Sequence, residues 1–123
     1  MKVLIVDDEE MIRFVIRATL STVGGVDLYE AADGPMAVEA AREHRPDLVF
    51  LDVRMPGMSG FDVCRRLKSD PATARARIVL VTAAVQESDM VAGREAGADD
   101  FVKKPFAPTT IREIAEAESV RRT

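Results

Sequence analysis

The chain has 123 residues, of which 47% are apolar and 31% charged, and 17 basic against 21 acidic residues leave a net charge of −4. That length suits one domain with a single core, and the apolar share argues against disorder. Mild acidity gives no support for a broad nucleic-acid-binding face, no apolar run is long enough to span a bilayer, and the N-terminus lacks the pattern of a signal peptide. Cys64 is alone, which excludes an intramolecular disulfide and fits a reducing, cytoplasmic setting.

VLIV (3–6) is a continuous apolar run that reads as a buried strand and leads straight into DDEE (7–10). Ile12, Val15, Ile16, Thr19, Leu20 and Val23 then recur at helical spacing, and Gly24-Gly25 supplies a stop. VDLYEAA (26–32) is the second strand. A second helix opens at Gly34-Pro35, with Pro in the tolerated first turn, and must end before Pro46. LVFL (48–51) is the third strand. MPGMSG (55–60) reads as a turn, with Gly57 permitting positive φ and Ser59 placed to cap a helix over 59–68. IVLV (78–81), a helix over 87–96 and FV (101–102) follow, and a last helix starts near Pro108. Its end, EAESVRRT, offers little to bury and is expected to fray. Strand–helix alternation at this spacing predicts βαβ units with right-handed crossovers and a parallel sheet covered on both faces. No repeat or linker divides the chain, so 1–123 reads as one domain.

In open parallel sheets, ligands bind beyond the carboxyl ends of the strands. The residues there are Asp7 and Asp8 after the first strand and Asp52 after the third. Thr82 follows the fourth strand and Lys104 the fifth. Any one of these is unremarkable in a solvated loop, but the topology gathers three acids, a hydroxyl and an amine at one edge. Two carboxylates about 4 Å apart repel by roughly 4 kcal/mol at an effective dielectric near 20. Three together take up protons or recruit a cation, and hard oxygen ligands around a small open site suit Mg²⁺. One carboxylate can then attack a phosphoryl group, since that transfer asks mainly for positioning and charge stabilisation.

VDDEE (6–10), LVFLDVRMPGMSGFD (48–62), LVTA (80–83) and AGADDFVKKPF (96–106) stand in the order and register of one family. On these motifs the chain resembles a receiver domain of two-component response regulators, the likeness running over essentially its whole length. The resemblance implies a (βα)5 flavodoxin-like fold with strand order 2-1-3-4-5. It implies a phosphorylation-activated switch that catalyses only its own phosphoryl transfer and dephosphorylation. Asp52 is then the phosphoacceptor. Mg²⁺ is bound by Asp8, Asp52 and the backbone carbonyl of Arg54, with Asp7 acting through water. Lys104 pairs with a phosphoryl oxygen, Thr82 hydrogen-bonds the phosphoryl group, and Phe101 is the aromatic that turns inward with it. The Lys104–Pro105 bond is implied to be cis. The implied partners are a sensor histidine kinase or histidine phosphotransfer protein, and an effector protein met through the fourth helix, fifth strand and fifth helix. Neither nucleic acid nor membrane is expected as a direct partner. The chain stops after its last helix, which favours a stand-alone regulator, although a receiver cut from a longer protein is not distinguished.

Other residues carry smaller expectations. The Arg54 side chain either screens the site or extends into solvent. Ala83 and Ala84, just past Thr82, are too small to obstruct water or the switch motion. Cys64 lies on an inward stripe with Phe61 and Leu67 and reads as a buried small residue. His44 reads as a surface capping position. Met11, Phe14 and Ala18 form a second stripe on the first helix, beside the Asp52 site, where the family receives its phosphodonor. Gly93 and Gly97 weaken the fourth helix, or Gly97 caps it. Two other classes use similar parts. A haloacid-dehalogenase-type phosphatase resembles a pattern with a second Asp where Arg54 stands here. A flavin or nucleotide binder needs a Gly- or Ser/Thr-rich phosphate loop where DDEE stands.

Overall fold

The computed structural model describes residues 1–83 and 86–122. Five strands, β1 (Lys2–Val6), β2 (Asp27–Ala31), β3 (Leu48–Leu51), β4 (Arg77–Thr82) and β5 (Asp100–Lys103), alternate with five helices. The helices are α1 (Glu10–Leu20), α2 (Gly34–His44), α3 (Gly60–Ser69), α4 (Glu87–Ala96) and α5 (Pro108–Arg121). The strands form one parallel sheet in the order β2-β1-β3-β4-β5. This is the doubly wound, flavodoxin-like arrangement expected from the alternation and the resemblance. None of the described helices is long and apolar enough to cross a membrane.

The continuous apolar strands are explained by two cores, one on each face of the sheet. Leu4, Val6, Val49, Leu51, Ile78 and Leu80 point to the side covered by α2, α3 and α4, where Ala37, Ala41, Val63, Cys64 and Leu67 meet them. Val3, Ile5, Leu48, Phe50, Val79 and Val81 point to the other, against Ile16 and Leu20 of α1 and Ile111 and Ala115 of α5. Alternate residues of a strand therefore serve opposite layers, and the buried strand positions are apolar except Thr82 at the end of β4. Burial pushes the Cys64 thiol up to about 11, with a smaller contribution from the charge of Asp99, so it behaves as a small packed residue.

Local chemistry sets the helix ends. Ser59 accepts from the Asp62 N–H while Asp62 accepts from the Ser59 N–H, a reciprocal capping box that starts α3 where the turn motif placed it. Asp33 caps α2 ahead of Pro35, Gly57 holds φ 79° in the β3–α3 turn, and Gly97 ends α4 in the left-handed conformation. α1 stops at Leu20, so Val23 packs from the following turn and not from the helix.

Two expectations are corrected. His44 does not cap α2; Arg45 occupies that position at φ 48°, and the His44 ring stacks on Tyr29 with centroids 3.8 Å apart. Nor does the last helix fray: α5 is regular to Arg121. Glu118 is only 2% exposed, with Arg122 Nε 2.5 Å from its Oε2. Arg122 also donates to the carbonyls of Asp47 at 2.8 Å and Arg75 at 3.1 Å, tying the helix end to the loops that enter β3 and β4. Charged side chains do here what apolar burial does elsewhere. Breaking a buried ion pair costs about 3 to 5 kcal/mol, and Arg122 keeps some solvent and Asp47, so Glu118→Ala is expected to lose about 2 to 3 kcal/mol in urea unfolding. A loss below about 0.5 kcal/mol, the range of ordinary surface substitutions, would show that the clamp contributes nothing.

Candidate phosphoacceptor site

The site is built where the strand ladders run one residue past their strands. Asp7 N–H donates to the Ala31 carbonyl at 3.2 Å and Asp52 N–H to the Val6 carbonyl at 2.9 Å, so both acids leave a ladder that still holds their backbones. Lys104 N–H donates to the Thr82 carbonyl at 3.0 Å in the same way. Because β1 and β3 are neighbours, with Val6 opposite Leu51, Asp7 and Asp52 come side by side.

Asp7 is 1% exposed, Asp52 4% and Thr82 0%, whereas Asp8 is exposed. The three carboxylates each offer an oxygen within 4.8 Å of the other two. Lys104 Nζ enters from β5 and lies 2.8 Å from Asp7 Oδ2 and 3.5 Å from Asp52 Oδ1. Asp7 Oδ1 accepts from the Glu9 N–H at 2.9 Å. The structure thus brings Asp7, Asp8, Asp52 and Lys104 together, with Thr82 buried at the end of β4 next to β5. The Lys104–Pro105 bond is cis.

One ammonium does not balance three carboxylates. Burial, then the charge of Asp7, pushes the Asp52 carboxyl up from 3.8 to about 6; Lys104 and the Arg54 N–H pull it down, and Asp8 adds to the rise. Burial by itself would lower the Lys104 ammonium, but its bond to Asp7 and the charges of Asp52, Asp7 and Glu9 outweigh that and raise it. Surplus negative charge, hard oxygen donors and one exposed member (Asp8) are a donor set that fits Mg²⁺.

Several neighbours had no clear signal in the sequence. Arg13 Nη1 donates to the Asp7 carbonyl at 2.7 Å while its Nε pairs with Glu30 at 3.2 Å, bracing the β1–α1 loop from within α1. A Cβ on Gly60 would stand 2.2 Å from the Asp52 carbonyl oxygen, so only glycine lets α3 begin against the acceptor's own backbone. The Arg54 side chain extends into solvent, 70% exposed, with its Nη2 3.7 Å from Asp89 Oδ1 in the first turn of α4. Gly93 of α4 faces Phe101, whose Cζ would be 2.4 Å from a Cβ there. On α1, Met11 and Phe14 are 69% and 52% exposed, so the second stripe does point to solvent. Ala83 is exposed, and Ala84 lies outside the described residues.

The raised Asp52 carboxyl has a pH consequence in metal-free protein. The folded state holds this proton more tightly than the unfolded chain, so Asp52 costs no stability below pH 3.8 and its full penalty above about 6. At 1.36 kcal/mol per pH unit that penalty is of order 2 to 3 kcal/mol. In EDTA, Asp52→Asn is expected to be more stable than the parent at pH 7.5, by about 2 kcal/mol in urea unfolding, with the gap closing toward pH 4. A gap that widened toward acid would contradict the assigned environment.

Comparison with known proteins assigns the family. The family model described as response regulator receiver domain matches residues 3–116. The chain is 45% identical over 111 residues to the DNA-binding response regulator MtrA of Mycolicibacterium smegmatis, covering 87% of this chain and 45% of that protein, so it spans less than half of that relative's length. The chemotaxis protein CheY4 of Vibrio cholerae superposes with a TM-score of 0.87 at 31% identity, over 94% of this chain and 96% of that one. The receiver domain of the sensor histidine kinase PA1611 of Pseudomonas aeruginosa, solved with a magnesium ion in its active-site cleft, has a TM-score of 0.85 at 28% identity, with 94% of each chain covered. The chain belongs to the receiver domain family of response regulators.

Proposed function

We propose that residues 1–123 form one receiver unit that accepts a phosphoryl group on Asp52 and changes its surface to regulate a partner. The observation that carries this reading is the buried Asp52 carboxylate held beside Asp7 and within 3.5 Å of the Lys104 ammonium. Asp7, Asp8, Asp52 and the Arg54 carbonyl would hold Mg²⁺, which when bound shares the charge of the phosphoryl oxygens. Asp52 acts as the nucleophile: its carboxylate oxygen bonds to phosphorus as the donor's bond to phosphorus breaks, leaving an acyl phosphate on Asp52. Lys104, a compact mobile ammonium, leaves the carboxylates for a phosphoryl oxygen. The Thr82 hydroxyl takes another, drawing the end of β4 with it.

The mechanism of output is a population shift. Moving an equilibrium from 1:99 to 99:1 takes about 5.5 kcal/mol of differential stabilisation, within reach of several charge-assisted bonds to one phosphoryl group. Phe101, on β5 next to Thr82's strand and against Gly93 of α4, is the side chain that carries the change outward. The output surface is α4, β5 and α5, with Val91 and Val120 among its exposed apolar residues. Met11 and Phe14 on α1 suit the phosphodonor protein, a sensor histidine kinase or histidine phosphotransfer protein. A cytoplasmic setting follows from that partnership. A phosphatase is less well supported, since Arg54 pairs with Asp89 where that class of enzyme would present a second acid. A flavin or nucleotide site is disfavoured by three carboxylates at the loop where phosphate would sit.

The test is intact mass after incubation with Mg²⁺ and acetyl phosphate, with Asp52→Asn in parallel. A labile gain of one phosphoryl group in the parent alone is the expected result, and a gain in both or an unchanged mass in the parent with Mg²⁺ bound would overturn it. Gly93→Ala probes the relay separately. Alanine favours helices over glycine by about 1 kcal/mol, yet here its Cβ collides with Phe101. Overpacking of this kind costs about 1 to 3 kcal/mol in unfolding. Phosphoryl uptake on Asp52 should survive that substitution, while phosphorylation-dependent NMR shifts over α4 and β5 shrink. Unchanged shifts there would remove Phe101 from the relay.

A further inference from the structure

A second cavity, of about 400 Å³, opens at the opposite end of the strands from Asp52, between the start of β4 and the end of α5. Five cations and two carboxylates line it, an inverted balance for a chain of net charge −4. Lys68 is fully engaged there, with Asp99 at 3.2 Å and the carbonyls of Ala74 and Ala76. Arg122 is likewise engaged with Glu118, Asp47 and two carbonyls. The other three guanidinium groups keep hydrogen-bond donors free. Arg77 and Arg121 make ion pairs with Glu118 Oε1 at 3.7 and 3.9 Å, too long for hydrogen bonds, and among the described residues the Arg75 guanidinium has no hydrogen bond or ion pair.

Glu118 Oε1 is itself a buried acceptor without a hydrogen-bond donor among the described residues, on a side chain 2% exposed. Buried unsatisfied polar atoms are few in folded proteins, and each calls for an explanation. The site therefore has three guanidinium groups with donors to spare and one acceptor lacking a donor. An oxyanion carrying one hydroxyl answers both needs: its charged oxygens accept from the arginines and its O–H donates to Oε1. The planar arginine fork pairs bidentately with two oxygens of such a group. We propose that this cavity binds a small oxyanion of the phosphate class, inorganic phosphate or a phosphomonoester, with Arg75, Arg77 and Arg121 as donors and Glu118 Oε1 as acceptor. The site is independent of Asp52 and of phosphoryl transfer.

The test is an NMR titration of the arginine Nε–H signals in EDTA, which leaves the acidic site without metal. Inorganic phosphate, glycerol 2-phosphate and chloride at matched ionic strength are the three probes. Saturable shifts at Arg77 and Arg121 with either phosphate compound, absent with chloride, are expected, and tighter binding of glycerol 2-phosphate would identify a phosphomonoester as the occupant. Arg75→Gln combined with Arg121→Gln removes two exposed side chains and leaves the Glu118–Arg122 clamp in place. Its affinity should fall at least about tenfold, the worth of one charge-assisted bond, with no change in melting temperature. Shifts that never saturate, that chloride reproduces, or that persist unchanged in the double variant would overturn the site and leave Glu118 a purely structural residue.

Discussion

Everything at the functional edge depends on confining negative charge. Three carboxylates share a space less than 5 Å across, two of them buried, and one ammonium faces them. At such spacing each pair costs a few kcal/mol even in a moderately polarisable interior. The fold tolerates this because the backbones of Asp7, Asp52 and Lys104 are held by ladder hydrogen bonds that outlast the strands. With the backbone held, burial and then the charge of Asp7 raise the Asp52 carboxyl, and against its own burial the Lys104 ammonium is raised by its bond to Asp7 and the charges of the acids around it. A site loaded in this way is receptive to a cation.

The same rigidity explains where movement is possible. β1, β3 and β4 are buried on both faces and packed into two cores. α4 is held differently. Its first turn meets Arg54 through an ion pair of the exposed kind, whose usual worth is at most about 1 kcal/mol. Its middle carries a glycine against which the Phe101 ring lies. α4 also buries Gly93 and Ala96 against the core, and on the proposed reading it is the element that a few kcal/mol at Asp52 would shift.

The two ends of the strands have opposite electrostatic characters. At the carboxyl edge, acids outnumber the one lysine; at the amino edge, arginines crowd a single buried glutamate. The second arrangement holds the end of α5 to the loops before β3 and β4, across 75 residues of sequence. It leaves guanidinium donors unspent around an unsatisfied oxygen. Both poles are charge clusters that the parallel topology assembles from chain ends of strands and helices.

The sequence by itself determined the order of elements, because buried parallel strands must be continuous apolar runs and the helices between them must be amphipathic. It also determined the acidic edge, since Asp7, Asp52, Thr82 and Lys104 each follow a strand by one residue or end it. The capping of α3 by Ser59 was legible for the same reason: the interaction spans three residues. What the tertiary structure alone decided are contacts outside the helix and strand periodicities, between residues whose types look ordinary. Arg54 with Asp89, Arg13 with the Asp7 carbonyl, Gly60 against Asp52 and His44 on Tyr29 leave no periodic trace. The end of α5 is the clearest case. Hydrophobic pattern measures only apolar burial, and this helix is anchored by ionic contacts to loops that a linear reading cannot bring near it.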